Sequence, residues 1–141
     1  MDMSSDGVDL AQYEQKILLI EDDQTLQELY KELLEDAGFT VQVAKDGDEG
    51  LSGLMKGGYA LVLLDVMLPR KDGIAILKEL KKSKSLQPNG PIVLLTNLGN
   101  DEIIKQCFQL GATGYLIKSS LAPDQIVSEV RTFLRNAAEN A

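Results

Sequence analysis

The chain has 141 residues, 44% apolar and 26% charged, which suits one domain with an ordinary core. Its formal charge is −8, so it repels phosphate backbones and direct nucleic-acid binding by this chain is not expected. It contains no histidine, which excludes Ser-His-Asp, Cys-His and histidine-zinc chemistry, and its lone Cys107 excludes an internal disulfide and fits a reducing cytoplasm.

Residues 1–14 are polar and acidic, lack the basic and apolar regions of a signal peptide, and read as an N-terminal tail. An apolar run at 17–20 follows. Leu26, Leu29, Tyr30, Leu33, Leu34 and Ala37 then keep a helical period that Gly38 stops, with Asp22 or Asp23 as cap. The run at 40–44 alternates, Val41 and Val43 against Thr40, Gln42 and Ala44, as an edge strand does. A helix at 48–56 is weakened by Gly50 and Gly53, each costing about 1 kcal/mol against Ala.

The run at 61–64 precedes a helix near 74–83, and the run at 92–95 precedes one near 101–110, where Cys107 reads as a small buried residue. After a run at 115–117, Pro123 suits the first turn of a last helix carrying Ile126, Val127, Val130, Phe133 and Leu134. Every run but the second is apolar at nearly every position, which suits strands covered on both faces. Strands alternating with helices imply right-handed βαβ units and a parallel sheet. No apolar run is long enough to span a bilayer, and no repeat, linker or second domain is read.

In an open parallel sheet, ligands sit beyond the carboxyl ends of the strands. There the first run is followed by Glu21, Asp22 and Asp23, the third by Asp65, the fourth by Thr96 and the fifth by Lys118. Singly, each has an ordinary structural explanation: a helix cap, a turn former, a local hydroxyl bond, a solvated charge whose removal costs about 1 kcal/mol or less. Four on neighbouring strand ends are better explained by chemistry. Crowded carboxylates call for a cation, and oxygen donors without His or Cys select Mg²⁺. An Asp beside it is a nucleophile for a phosphoryl group, and Lys118 and Thr96 can hold phosphoryl oxygens.

The stretches ILLIEDD (17–23), LVLLDVMLP (61–69), KDG (71–73), IVLLT (92–96) and GATGYLIK (111–118) resemble the landmarks of receiver domains of bacterial response regulators, and the likeness covers about residues 15–135. It implies a flavodoxin-like, doubly wound five-stranded parallel sheet of order 2-1-3-4-5 with five helices. By that resemblance residues 15–138 are the receiver and 139–141 a C-terminal tail. It also implies Asp65 as phospho-acceptor, Glu21, Asp22, Asp65 and the Met67 carbonyl as Mg²⁺ ligands, and Thr96 and Lys118 as phosphate-binding groups. Thr96 and Tyr115 become the switch residues, and Asp23 remains a helix cap. The implied partners are a sensor histidine kinase or phosphotransfer protein and a downstream protein on the face of the fourth helix, fifth strand and fifth helix. The implied location is cytoplasmic, with no membrane contact and no enzymatic turnover beyond the domain's own phosphotransfer and autodephosphorylation.

Two positions depart from the family. Ser119 follows the lysine where many members have Pro, and Asn97 follows the hydroxyl where a small residue is usual. Apolar Met67 and Leu98 flank the expected mouth and cannot orient water, so a long-lived acyl phosphate is expected. A phosphatase of the haloacid-dehalogenase type needs a second acid at position 67. A nucleotide-binding domain needs a glycine-rich loop where Glu21–Asp23 stand. A degenerate receiver serving as scaffold is a third alternative, though every landmark residue is present.

Overall fold

A computed structural model describes residues 15–97 and 101–140. The elements alternate strictly: β1 (Lys16–Ile20), α1 (Gln24–Asp36), β2 (Thr40–Ala44), α2 (Gly47–Lys56), β3 (Leu61–Asp65), α3 (Gly73–Lys82), β4 (Ile92–Thr96), α4 (Asp101–Gln109), β5 (Gly114–Ile117) and α5 (Gln125–Glu139). A 3-10 turn over Lys118–Ser120 joins β5 to α5. The five strands are parallel in the order β2-β1-β3-β4-β5.

Apolar side chains at successive strand positions face opposite sides, so the sheet needs a core on each. Leu18, Ile20, Val62, Leu64 and Leu94 meet Leu54 of α2, Ile76 and Leu77 of α3 and Cys107 of α4. Ile17, Leu19, Leu61, Leu63, Val93 and Leu95 meet Tyr30 and Leu34 of α1 and Ile126 and Val130 of α5. The alternating β2 is an edge, as its pattern predicts. The continuous β5 is the other edge: Leu116 is buried, but Tyr115 faces solvent beside the Phe108 ring.

Three aspartates cap helices by accepting a backbone N–H: Asp23 from Leu26 at 3.1 Å, Asp46 from Glu49 at 2.9 Å and Asp72 from Ala75 at 3.0 Å. Gly38 at φ 104° follows α1, in the left-handed conformation that ends helices. Pro123 is not in the first turn of α5. It lies two residues ahead, in a turn closed by Gln125 N–H to the Ala122 carbonyl at 2.8 Å, which Gln125 Oε1 reinforces by accepting from Ala122 N–H. No helix among the described residues is long and apolar enough to cross a membrane.

Candidate functional site

Parallel register carries four strand ends to one edge. Ile20 is level with Leu64, so Glu21 stands beside Asp65. Asp65 pairs with Leu95, one residue before Thr96, and Thr96 pairs with Ile117, one residue before Lys118. Around these ends opens a cavity of about 480 Å³, lined by Glu21, Asp22, Asp65, Lys118 and Tyr30 among others.

The Lys118 ammonium bridges two carboxylates, 2.7 Å from Glu21 Oε1 and 2.9 Å from Asp65 Oδ2. Asp65 Oδ1 accepts the Met67 N–H at 3.0 Å, and Glu21 Oε2 accepts the Asp23 N–H at 3.1 Å. The Gln27 amide donates to the Glu21 carbonyl at 2.6 Å, fixing the end of β1 to α1. Asp65 is 4% exposed and the Lys118 side chain 14%, so the solvated-lysine explanation fails. Thr96 is sealed from solvent and donates to the Asn97 carbonyl at 3.1 Å; Asn97 is the residue that lines the cavity.

Burial raises the Glu21 carboxyl to about 7, against the pull of Lys118 and with the Asp65 charge adding to the rise. Burial also opposes the Lys118 ammonium, but its close contacts with the Glu21 and Asp65 carboxylates outweigh that and hold it above its ordinary value. Glu21 Oε1 touches the ammonium as an ion pair yet takes no directed hydrogen bond. One carboxylate oxygen from each of Glu21, Asp22 and Asp65 lies within 4.8 Å of the others. An enclosed, under-bonded carboxylate beside two more acids is a donor set that fits a hard divalent cation.

Met67 lines the cavity with its side chain 54% exposed, while Leu98 lies outside the described residues. Tyr115 is 47% exposed on β5, its ring 6.2 Å from that of Phe108, and does not line the cavity. The Lys118–Ser119 peptide is trans and opens the 3-10 turn. Sequence reasoning missed Tyr30 as a site residue. Its helical spacing marks it as core, and no local signal shows that it also lines the cavity.

The model of the response regulator receiver domain matches residues 17–131. The chain belongs to this family. It is a receiver domain of two-component response regulators, which sets aside the phosphatase and nucleotide-binding alternatives. Its relatives include the transcriptional regulatory protein CpxR of Klebsiella pneumoniae, 40% identical over 122 residues, covering 86% of this chain and 50% of that protein. Another is the transcriptional regulatory protein ResD of Bacillus subtilis, 30% identical over 128 residues, covering 91% and 51%. This chain thus spans about half the length of those relatives. The receiver domain of Francisella response regulator 1452 superposes with a TM-score of 0.73 at 29% identity, covering 86% of this chain and 98% of that one. A CheY-like receiver from Methanospirillum hungatei shares the fold with a TM-score of 0.78 at 24% identity, covering 90% and 98%.

Proposed function

We propose that Asp65 is the phospho-acceptor of this receiver. The observation that carries the reading is a buried carboxylate bridged by Lys118 to a second buried acid, at the mouth of an acidic cavity. One oxygen of Asp65 attacks the phosphorus of a phosphohistidine on a sensor kinase or phosphotransfer protein. The phosphorus–nitrogen bond breaks, and its electron pair stays on the donor imidazole. Lys118 moves its contact from Asp65 to a phosphoryl oxygen, and the Thr96 hydroxyl, close behind, turns to another. Glu21, Asp22 and Asp65, joined by the Met67 carbonyl, would hold Mg²⁺, which would supply charge neutralisation for the phosphoryl oxygens.

Thr96 and Tyr115 then relay the change to the face of α4, β5 and α5, where exposed Phe108 and Tyr115 offer apolar area to a protein partner. The acidic chain itself makes no nucleic-acid contact, and its place is the cytoplasm. Residues 15–138 carry the receiver, and the α5 helix runs on to Glu139. Without a carboxamide or carboxylate at position 67, the acyl phosphate persists for minutes.

Incubation with acetyl phosphate and Mg²⁺ tests this. Intact mass should rise by one phosphoryl group, and chelation or Asp65→Asn should abolish the gain. Undiminished labelling of the Asn variant would sink the assignment.

A further inference from the structure

Tyr30 is 4% exposed on α1. Its ring belongs to the apolar layer formed with Leu116, Ile126 and Val130. The same residue also lines the acidic cavity beside Glu21, Asp65 and Lys118. Among the described residues its hydroxyl makes no hydrogen bond. Nor is that hydroxyl walled in: among the described residues, the enclosed side-chain oxygen lacking a directed hydrogen bond is Glu21 Oε1. A phenolic group this deep, neither bonded nor sealed, opens on the cavity.

The charges around it agree. Burial raises the phenol above its ordinary value, and of the charged groups acting on it Lys118 comes first, then Glu21 and Asp65. The hydroxyl is therefore neutral at physiological pH and can both accept and donate. An ammonium has three N–H donors, and Glu21 and Asp65 occupy two directions of Lys118.

Resting on the receiver reading above, we propose that Tyr30 is a positioning residue for phosphoryl transfer, its hydroxyl accepting an N–H of Lys118 as the ammonium leaves Asp65, a bond the resting structure does not yet make. Phosphorylation requires Lys118 to leave Asp65 for a phosphoryl oxygen while buried Glu21 pulls it back. A neutral acceptor on the cavity wall steadies the ammonium during that exchange without adding another charge. No bond to phosphorus forms or breaks at Tyr30.

The test compares labelling rates with acetyl phosphate and Mg²⁺, read by intact mass, for the wild type and Tyr30→Phe. A bond to a charged group predicts labelling about tenfold slower in the variant, with melting temperature and Mg²⁺ affinity at wild-type values. In a Lys118→Ala background, Tyr30→Phe should bring no further slowing. Equal rates for the wild type and Tyr30→Phe overturn the proposal. So does slowing matched by a fall in melting temperature or Mg²⁺ affinity, which core packing alone explains, or the same tenfold loss in the Lys118→Ala background. A wild type that takes no label overturns the receiver reading and this inference with it, whereas a labelled wild type with an unaffected variant overturns this inference alone.

Discussion

Lys118 shows how burial changes what one side chain is worth. At 14% exposure it is the counter-ion of two buried acids, so the small cost of a solvated pair does not apply. Lys118→Ala leaves Glu21 enclosed without a cation. Breaking a buried pair typically costs about 3–5 kcal/mol, and Glu21 lessens this by taking a proton, so about 2–3 kcal/mol is expected in urea unfolding without Mg²⁺. The same variant should bind Mg²⁺ more tightly than the wild type, because the cation then relieves two unpaired carboxylates; weaker binding in titration calorimetry would contradict this. Cys107 is a second case. Burial, aided by the Asp72 charge, pushes its thiol up to about 11. The folded thiol stays neutral where the unfolded one ionises, near 9, so its contribution to stability is complete below pH 9 and is lost as pH rises through about 11. Between pH 9 and 11 the wild type should lose more unfolding free energy than Cys107→Ala. At pH 8 an aromatic disulfide reagent should label Cys107 only after denaturation.

At the scale of elements, the weakest helix by composition is held from outside. The last carbonyls of α2 would lack partners, and the α3–β4 connection supplies them. Ser85 Oγ and Asn89 Nδ2 donate to the Leu54 carbonyl at 2.8 and 3.0 Å, Leu86 N–H to Met55 at 2.8 Å and Gln87 N–H to Lys56 at 3.1 Å. Asn89 Oδ1 also accepts the Tyr59 N–H at 3.3 Å. Asn89→Ala removes two of these bonds and should lower stability by about 1–3 kcal/mol, seen as a lower urea midpoint. Leu86→Ser, at a side chain 85% exposed, is the matched control and should leave the midpoint within about 0.5 kcal/mol. If the two variants behave alike, the connection does not cap α2.

For the whole molecule, a charge of −8 coexists with three carboxylates gathered at one sheet edge. Mg²⁺ bound there would relieve local repulsion that monovalent salt only screens. At about a hundredfold above its dissociation constant, Mg²⁺ should stabilise the fold by roughly 2.7 kcal/mol, raising the melting temperature on the order of 8 °C. Sodium chloride at equal ionic strength should give much less. Equal shifts from the two salts in a calorimetric scan would remove the case for a specific site.

By itself the sequence determined the alternation of strands and helices and the chemistry offered at each strand end. Both are local: apolar runs such as 61–64 must be covered on two faces, and Glu21, Asp65, Thr96 and Lys118 follow their strands directly. The Pro123 boundary was misplaced because a fixed φ suits a turn just before a helix as well as its first residue. Tertiary structure alone decided which residues share the cavity. Register, a non-local property, set Glu21 level with Asp65 and brought Lys118 onto both at hydrogen-bonding distance. Tyr30 illustrates the same limit. Helical spacing buries its ring, but only tertiary packing sets it on the wall of the cavity that Lys118 also lines. How deeply those charges are enclosed, which fixes what each is worth, depends on every element around them and is written in no single stretch of chain.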